Sequence, residues 1–345
     1  MNNIYINKTY EGKTVLVTGG AGAIGSNLVK KLSDLKAKTV IVLDNMVAGH
    51  QWALPQNKNV LLVKGDINDD IMLKRVFAES PSIVFHLAAF FANQNSVDYP
   101  EKDLSTNGMG TLKLLEYSNL TKVDRFVYGS SGCSIYGKEA PLPLTEEFMS
   151  LNLSSPYQIT KMLGEVYCNF YKAHYGLKTV KARFFNSYGP GEVPGQYRNV
   201  IPNFIYWALK GLPLPITGDG NQTRDFTYVG DLINGLLAAG LEDQAVGEEF
   251  NLAAGREIKI GELATMINER TGNKAGIKTI PKRVWDTKTR LLASVEKAKN
   301  LIGYEPKTSF EEGLDEAIKW FKENWDEIDR SHSFLPGASS AHRES

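Results

Sequence analysis

The sequence is poor in cysteine, balanced in charge and free of long apolar runs, and each feature excludes a class of protein. Its 345 residues include only two cysteines, Cys133 and Cys168, too few for a disulfide framework or a zinc site with four thiolates. Lys and Arg together number 39, as do Asp and Glu, so the charge balance indicates no nucleic-acid partner. The five histidines are scattered, and we predict no metal site.

The chain also lacks recognisable targeting and membrane-spanning segments. No apolar run approaches the roughly 18 residues that span a bilayer, and residues 1–13 contain no apolar core like that of a signal peptide. The low cysteine content is typical of a reducing compartment. We therefore predict a cytoplasmic protein with no membrane partner. Residues 327–345 are polar and rich in small residues, which predicts a flexible tail.

What the sequence does contain is a repeated alternation of short apolar runs with longer amphipathic segments. Runs that are apolar throughout are typical of a parallel sheet covered on both faces. The first half therefore predicts an α/β fold with a doubly wound parallel (Rossmann) sheet. The apolar runs are 14–20, 39–44, 59–66, 82–89, 125–131 and 179–186, and the helical candidates are about 23–36, 68–79, 103–119 and 155–175.

The rhythm changes after Asn186, where the chain becomes rich in Gly and Pro. We predict a Rossmann domain over residues 1–187, to which 229–252 returns. A smaller mixed α/β lobe is predicted from 188–228 and 253–326. The predicted elements of this half are helices near 200–210, 229–241, 260–271, 294–302 and 311–324 and a strand at 248–253.

Three glycines, Gly19, Gly22 and Gly25, follow the first strand and open the first helix. Glycine permits the tight turn, and the missing side chains let a pyrophosphate approach the N–H groups of the helix N-terminus. Asp44 ends the second strand 25 residues after Gly19. Its carboxylate can accept both ribose hydroxyls of an adenosine and would repel a 2′-phosphate, so the motif predicts NAD rather than NADP.

Two further strand ends point to the same crevice. Asp66 could accept the adenine amine, and the residues after His86 are small enough to lie beside a dinucleotide. His86 itself is interpreted as a packing residue. The residues assigned to the cofactor on this basis are Gly19, Gly22, Ala23, Ile24, Gly25, Asp44, Asn45, Asp66, Ile67, Leu87, Ala88 and Ala89.

Tyr157 and Lys161 are four residues apart in a predicted helix. Positions i and i+4 share a helix face, so the hydroxyl and the ammonium can lie in one pocket. A cation there would lower the pKa of the phenol toward the range of a general base. The same spacing also occurs by chance on exposed helices, so the pair alone leaves both interpretations open.

Several motifs in chain order resemble the extended short-chain dehydrogenase/reductase family, which contains nucleotide-sugar epimerases and dehydratases. The first half carries TGGAGAIG, Asp44, HLAA, Asn107 and YQITK. The second half carries RFFNSYGP (183–190), NVIPNFI (199–205), GDGNQTRDFTYVGD (218–231) and RLLASVEKAKNLIGYEP (290–306). The resemblance covers about residues 13 to 325 and identifies Tyr157 and Lys161 as the catalytic pair.

The resemblance implies roles for particular residues. Tyr157 would move a proton on a sugar hydroxyl while hydride passes between the sugar and the nicotinamide, and Lys161 would bind the nicotinamide ribose. Asn107 would join the cofactor site. A homodimer would form through helices 103–119 and 155–175, with Leu112, Leu114, Leu115, Leu163, Val166 and Phe170 available either for that face or for covering the sheet. The substrate, a nucleotide-diphosphate sugar, would contact Asn186, Asn199, Val200, Ile216, Arg224 and Arg290.

One position departs from the pattern of the family. The family usually places Ser or Thr 25 residues before the tyrosine, but here that position is Gly132, flanked by Ser131 and Ser134. A neighbouring serine or a water could replace the hydroxyl, or Tyr157 could act on the sugar directly. Alternatively, Gly132 makes room for a bulky substrate. We assign Ser131 and Ser134 to the catalytic site.

The same strand end discriminates between reactions of the family. Dehydratases carry an Asp-Glu pair where this chain has Cys133 and Ser134, and decarboxylases usually place Glu at position 134. Both reactions are therefore disfavoured. The sequence favours an NAD-dependent nucleotide-sugar 4-epimerase acting through a 4-keto intermediate, most simply on a UDP-hexose. The alternative is a 4-dehydrogenase or ketoreductase without inversion.

Overall fold

The computed structural model describes residues 9–281 and 289–334, and a seven-stranded sheet forms its centre. Six strands come from the first half of the chain: β1 (Thr14–Thr18), β2 (Thr39–Asp44), β3 (Val60–Lys64), β4 (Ile83–His86), β5 (Arg125–Ser131) and β6 (Thr179–Phe184). Glu249–Leu252 pairs with β6 as the seventh. All neighbours are parallel, in the order Glu249–Leu252, β6, β5, β4, β1, β2, β3.

Two apolar layers cover the faces of this sheet. Val15 and Val17 of β1 pack beneath the helices Ala23–Asp34 and Val229–Leu241, whereas Leu16 between them packs on the opposite face. This alternation follows from the period of two residues along a strand. The doubly wound parallel sheet predicted from the sequence is therefore confirmed. Because the strand order reverses between β1 and β4, a crevice opens at their carboxyl ends.

The helices and short strands have the following bounds. The helices are Ala23–Asp34, Asp70–Ala78, Asn93–Asp98, Pro100–Asp103, Leu104–Met109, Gly110–Leu120, Gly132–Ile135, Pro156–Tyr175, Val200–Leu209, Val229–Leu241, Ile260–Thr271, Glu296–Ile302, Phe310–Glu323 and Trp325–Ser331, with single 3₁₀ turns at Gln51–Ala53 and Asp243–Ala245. Short strands pair Ser187–Tyr188 with Thr227–Tyr228, Leu214–Thr217 with Ile277–Ile280, and Thr223–Arg224 with Ile258–Lys259.

A second apolar core lies in the smaller lobe. It is formed by residues of helices Val200–Leu209, Ile260–Thr271 and Phe310–Glu323, including Phe204, Leu263 and Leu314. Within the described residues, no helix is both long and apolar enough to cross a bilayer.

The structure differs from prediction at the C-terminal side of this lobe. Residues Trp325–Ser331 form a helix whose Ile328 is buried. Trp325 stacks on Tyr206 at a ring distance of 5.5 Å, and Asp329 accepts a 2.7 Å hydrogen bond from the Tyr206 hydroxyl. The predicted flexible tail is therefore wrong for residues 327–334, because their anchors come from a distant helix. Residues 335–345 lie outside the described residues.

Candidate functional site

A cavity of about 910 Å³ lies between the carboxyl ends of the parallel strands and the smaller lobe. Its wall brings together most of the residues predicted from the sequence. Among the described residues, the predicted Asn107, Ile216 and Arg290 do not line it. Those that do are Gly19, Gly22, Ala23, Ile24, Gly25, Asp44, Asn45, Asp66, Ile67, Leu87, Ala88, Ala89, Ser131, Ser134, Tyr157, Lys161, Asn186, Asn199, Val200 and Arg224.

The glycine turn at one end of the cavity has room for backbone only. Gly19 has φ +68°, and a Cβ atom there would lie 2.7 Å from the Ala88 nitrogen. A Cβ on Gly25 would collide with the Gly19 carbonyl oxygen. Helix Ala23–Asp34 begins at Gly22, and within the described part of the chain no side chain caps it. Its first N–H groups are therefore available to an anion, so the turn fits the diphosphate of a dinucleotide.

Asp44 ends β2 directly beside this turn. Its carboxylate accepts hydrogen bonds from the Ala21 N–H at 3.0 Å and the Met46 N–H at 2.9 Å. Burial raises the pKa of Asp44, while these N–H groups and the attraction of Arg198 act in the opposite direction. The end of the next strand is held similarly, since Asn45 donates to Asp66 at 3.0 Å. The carboxylates predicted to contact the adenosine thus lie at neighbouring strand ends.

Tyr157 and Lys161 lie in the first turns of helix Pro156–Tyr175, and both are buried. Ser155 caps the helix by accepting from the Gln158 N–H at 3.4 Å, and Pro156 suits the first turn because it needs no N–H partner there. The Lys161 ammonium donates to the Gly129 carbonyl at 2.8 Å and lies 5.7 Å from the Tyr157 ring centre. The predicted sharing of one pocket is therefore seen.

The predicted lowering of the Tyr157 pKa is not seen in the structure. Burial raises the pKa of the Tyr157 hydroxyl, Asp103 and Cys133 raise it further, and a hydrogen bond with Ser131 opposes them. Burial likewise lowers the pKa of Lys161 to about 8, against the attraction of Asp103 and Glu165. Both shifts have the same physical cause, because a low-dielectric site disfavours either charged form. Desolvation thus outweighs the effect that the spacing predicts.

Asp103 was not predicted from the sequence, and it lies buried behind the catalytic pair. It accepts from Asn107 Nδ2 at 2.8 Å and from Thr160 Oγ1 at 2.7 Å. Asn107 in turn accepts from the Phe90 N–H at 2.8 Å. Asn107 therefore stands behind the cavity wall and holds the segment after β4, instead of lining the site as predicted. The i, i+4 spacing of Asp103 and Asn107 is the signal that could have identified this network.

The glycine at position 132 is explained by packing. A Cβ atom there would overlap the aromatic ring of Phe185, so the space is filled by protein and the interpretation that it admits a bulky substrate is not supported. Ser131 lies next to it, acts to lower the pKa of Tyr157 and donates to the Ser134 hydroxyl at 2.9 Å. The two flanking serines thus supply hydroxyl groups where the family's residue is absent.

The substrate end of the cavity is formed by the smaller lobe. Asn186 donates to the Asp225 carbonyl at 3.2 Å, and Asn199 donates to Glu192 at 3.0 Å. Ile216 is buried in the lobe core, and its neighbours Pro215 and Thr217 line the cavity instead. The Arg290 side chain is 57% exposed and pairs with Glu257. Arg224 lines the cavity as predicted, whereas Arg290 is engaged outside it.

Comparison with known proteins agrees with this geometry. A model described as the NAD dependent epimerase/dehydratase family matches residues 15–253. An epimerase structure from Methanothermobacter thermautotrophicus is 55% identical, with a TM-score of 0.93, over 94% of this chain and 96% of that one. A UDP-glucose 4-epimerase from Thermotoga maritima, solved with UDP-glucose, is 36% identical, with a TM-score of 0.86, over 90% and 99% of the two chains. A Bordetella bronchiseptica enzyme, solved with NAD+ and UDP, is 37% identical, with a TM-score of 0.82, over 93% and 96%.

Proposed function

Because the chain belongs to the NAD dependent epimerase/dehydratase family, we propose that it is a nucleotide-sugar 4-epimerase acting through a transient 4-keto sugar. It is an NAD-dependent enzyme, and a UDP-hexose is the substrate class that its structural neighbours support. The observation that carries the proposal is that Tyr157, Lys161 and Ser131 line the same cavity as the glycine turn.

Each part of the site has a proposed task. NAD supplies the hydride acceptor and, once reduced, the hydride donor. The Rossmann lobe would hold NAD on Gly19, Gly22 and the N-terminus of helix Ala23–Asp34. This lobe comprises residues 1–187 and 229–252. Tyr157 accepts the proton of the sugar 4-hydroxyl and later returns it, assisted by Ser131 and Ser134. Lys161, with a pKa of about 8, is mainly cationic at neutral pH and stabilises the phenolate form of Tyr157, which is the form that accepts this proton.

The remaining lobe is proposed to hold the nucleotide. Residues 188–228 and 253–326 would bind the diphosphate and base, with Asn186, Asn199, Val200 and Arg224 along the wall that faces the cavity. Ile216 would contribute through its backbone. Arg290 would have to leave Glu257 to reach a phosphate, since the two now form an ion pair. Arginine suits such a role because its planar fork matches phosphate oxygens in pairs.

The reaction is tested by incubating the NAD-loaded enzyme with UDP-glucose, UDP-N-acetylglucosamine, UDP-glucuronate and GDP-sugars and following the sugar configuration at C4 by NMR. A 4-epimerase gives the C4 epimer without net release of NADH. Net NADH with accumulation of a ketosugar would identify the 4-dehydrogenase instead. Recovery of unchanged sugars from the whole panel would refute the proposal.

The assignment of the base is tested by Tyr157→Phe. The variant keeps the ring that packs edge-on against Phe91 at 6.0 Å and removes only the hydroxyl. Turnover should fall by at least about a hundredfold, while NAD binding measured by calorimetry stays near the wild-type value. An active Tyr157→Phe enzyme would contradict the proposed role.

We also propose that the enzyme is a homodimer. Val166 and Phe170 of helix Pro156–Tyr175 are 50% and 48% exposed, and Leu104 and Met109 beside them are also exposed. Leu114 and Leu115 of the predicted face are instead buried against the sheet. Val166→Glu should therefore give a monomer in light scattering, whereas Ile71→Glu, at a position that is 71% exposed on another helix, should not. A wild-type monomer would refute the dimer.

A cytoplasmic location is proposed on the redox state of the cysteines. Cys133 and Cys168, the two cysteines of the sequence, are not joined by a disulfide in the structure, and protein disulfides are rare in a reducing compartment. Cell fractionation tests this location, and recovery of the protein outside the cytoplasm would contradict it.

A further inference from the structure

A segment of the smaller lobe, here called the strap and defined as residues 190–199, crosses the mouth of the cofactor end. At its start, the Pro190 carbonyl accepts from Asn27 Nδ2 at 2.8 Å. Near its end, the Tyr197 hydroxyl donates to Asp98 at 2.9 Å, and Arg198 Nη2 donates to the Ala48 carbonyl at 2.9 Å. The strap is therefore tied to three segments of the Rossmann lobe: the first helix, the segment after β2 and the helix after β4.

The strap approaches the glycine turn closely. A Cβ atom on Gly191 would lie 3.0 Å from the Ala23 carbonyl oxygen and 2.8 Å from Asn27 Nδ2. The C-terminal segment also contacts the strap, because the Ser333 N–H donates to the Pro194 carbonyl at 3.2 Å. The start of the strap thus lies against the first turn of helix Ala23–Asp34.

Arg198 is the cation of this strap, and it lines the same cavity as Gly22 and Asp44. It attracts the carboxylates of both Asp44 and Glu192. Burial lowers the pKa of the guanidinium, and these two carboxylates only partly oppose the effect. Removal of a guanidinium from water is unfavourable unless an anion compensates for it. A partly buried, donor-rich cation that lines a dinucleotide site therefore calls for a ligand with negative charge.

We propose that Arg198 binds the diphosphate of NAD, so that the smaller lobe contributes directly to the cofactor site. This inference rests on the proposed placement of NAD along the glycine turn. The diphosphate is the anionic group of that cofactor, and it would lie between the uncapped helix N-terminus and the guanidinium of Arg198. Two sources of positive potential would then act on one diphosphate from opposite lobes.

Glu192 of the strap attracts the charge of Arg198 and also contacts a residue of the substrate end. Its carboxylate is buried and accepts from Asn199 at 3.0 Å, a residue proposed to contact the nucleotide sugar. Arg198 and Asn199 are adjacent in the chain, so one short segment would contact both ligands. The nucleotide end of the cavity could thereby respond to whether the cofactor is bound.

The test compares four variants of the full-length protein, stripped of nucleotide: Arg198→Ala, Arg198→Lys, Arg224→Ala and Asp44→Asn. Binding of NADH and of UDP is measured separately by calorimetry, and thermal melting checks that each variant folds. Arg224→Ala is the matched control, because it removes a guanidinium from the substrate end of the same cavity. Arg198→Lys keeps the charge and removes the planar fork.

Arg198→Ala should weaken NADH binding by about tenfold to a hundredfold and leave UDP binding within about twofold. Arg198→Lys should recover part of the loss, and Arg224→Ala should show the opposite selectivity. If folded Arg198→Ala binds NADH as tightly as the wild type while Asp44→Asn binds it more weakly, the inference is overturned. The proposed function is then left intact. Loss of UDP binding alone would assign Arg198 to the substrate. If both Asp44→Asn and Arg198→Ala bind NADH normally, the placement of NAD itself fails.

Discussion

The cofactor end of the crevice is built from backbone, whereas the substrate end is built from side chains. At the cofactor end, Gly19 and Gly25 leave no room for a Cβ atom, and the Asp44 carboxylate is held by two backbone N–H groups. At the substrate end, Arg224 lies on a two-residue strand, and Arg290 is exposed and paired with Glu257.

This difference predicts a rigid cofactor end and an adaptable substrate end. A site made of strand ends and helix N–H groups is fixed once the sheet has folded, so it can hold one cofactor through many turnovers. A site made of long side chains pays side-chain entropy to become ordered, and it can rearrange around ligands of different shape. We expect substitutions at the cofactor end to have large effects on both stability and binding, and those at the substrate end to have small, ligand-specific effects.

The largest effect is expected from Gly19→Ala, compared with Gly218→Ala. Both glycines have φ near +70°, but a Cβ on Gly19 would meet the Ala88 backbone, whereas Gly218 has open space. Both variants should lose about 1 kcal/mol from backbone strain. Gly19→Ala should lose about 1–3 kcal/mol more from overpacking, and its NADH affinity should fall at least about tenfold.

Chemical denaturation and NADH calorimetry on both variants measure these differences. Equal stability losses, with NADH binding unchanged in Gly19→Ala, would show that the turn adapts and that the cofactor end is not fixed by backbone packing.

The next effect concerns catalysis at the end of β5, where two side chains replace the hydroxyl that Gly132 lacks. Ser131→Ala removes the hydroxyl that acts to lower the Tyr157 pKa and should lower kcat by about a hundredfold. Ser134→Ala removes only the partner of Ser131, so its effect should be smaller. Because the Ser131 hydroxyl opposes the rise in the Tyr157 pKa, its removal should also shift the pH–rate profile to higher pH. A wild-type profile in Ser131→Ala would exclude the relay.

A pH-dependent effect on stability is expected at Glu192, a residue of the strap between the cofactor end and the substrate end of the cavity. Burial raises its pKa to about 7 from 4.5, against the attraction of Arg198 and the hydrogen bonds of Asn199. The folded protein therefore holds a proton that the unfolded chain releases, so stability from this group is full below pH 4.5 and is lost as pH rises through 7. The loss is on the order of 3 kcal/mol.

Glu192→Gln removes this titration. The melting temperatures of nucleotide-free Glu192→Gln and wild type are compared at each pH. The difference, variant minus wild type, should be several degrees larger at pH 8 than at pH 5. The exposed Glu79→Gln serves as control and should follow the wild type at both pH values. Parallel melting curves of Glu192→Gln and wild type would show that Glu192 does not carry a proton in the folded state.

The sequence could predict the features that local patterns determine, but not those that depend on distant contacts. Strands β1 to β6 and the glycine turn were predictable because apolar runs and local glycine spacing determine them. The helix Trp325–Ser331 was not, since it is stabilised by Tyr206, more than a hundred residues away. Nor could spacing show that Asn107 lies behind the wall, or that burial outweighs the effect of Lys161 on Tyr157. These depend on desolvation and on contacts between distant segments, which no local pattern contains.

The smallest effect is expected from Glu257→Gln, which tests whether the substrate end is adaptable. Glu257 pairs with Arg290, with Nε and Oε1 3.0 Å apart, and also accepts from the Thr223 hydroxyl. If Arg290 must leave this pair to bind a phosphate, removal of the carboxylate charge should tighten UDP binding. Because the pair is exposed and therefore weak, the gain in affinity should be at most about fivefold. Glu262→Gln, which removes the partner of the exposed Lys259 nearby, should leave UDP affinity unchanged. Weaker UDP binding in Glu257→Gln would mean that the ion pair holds Arg290 in its binding position, so that the substrate end, like the cofactor end, is formed before its ligand arrives.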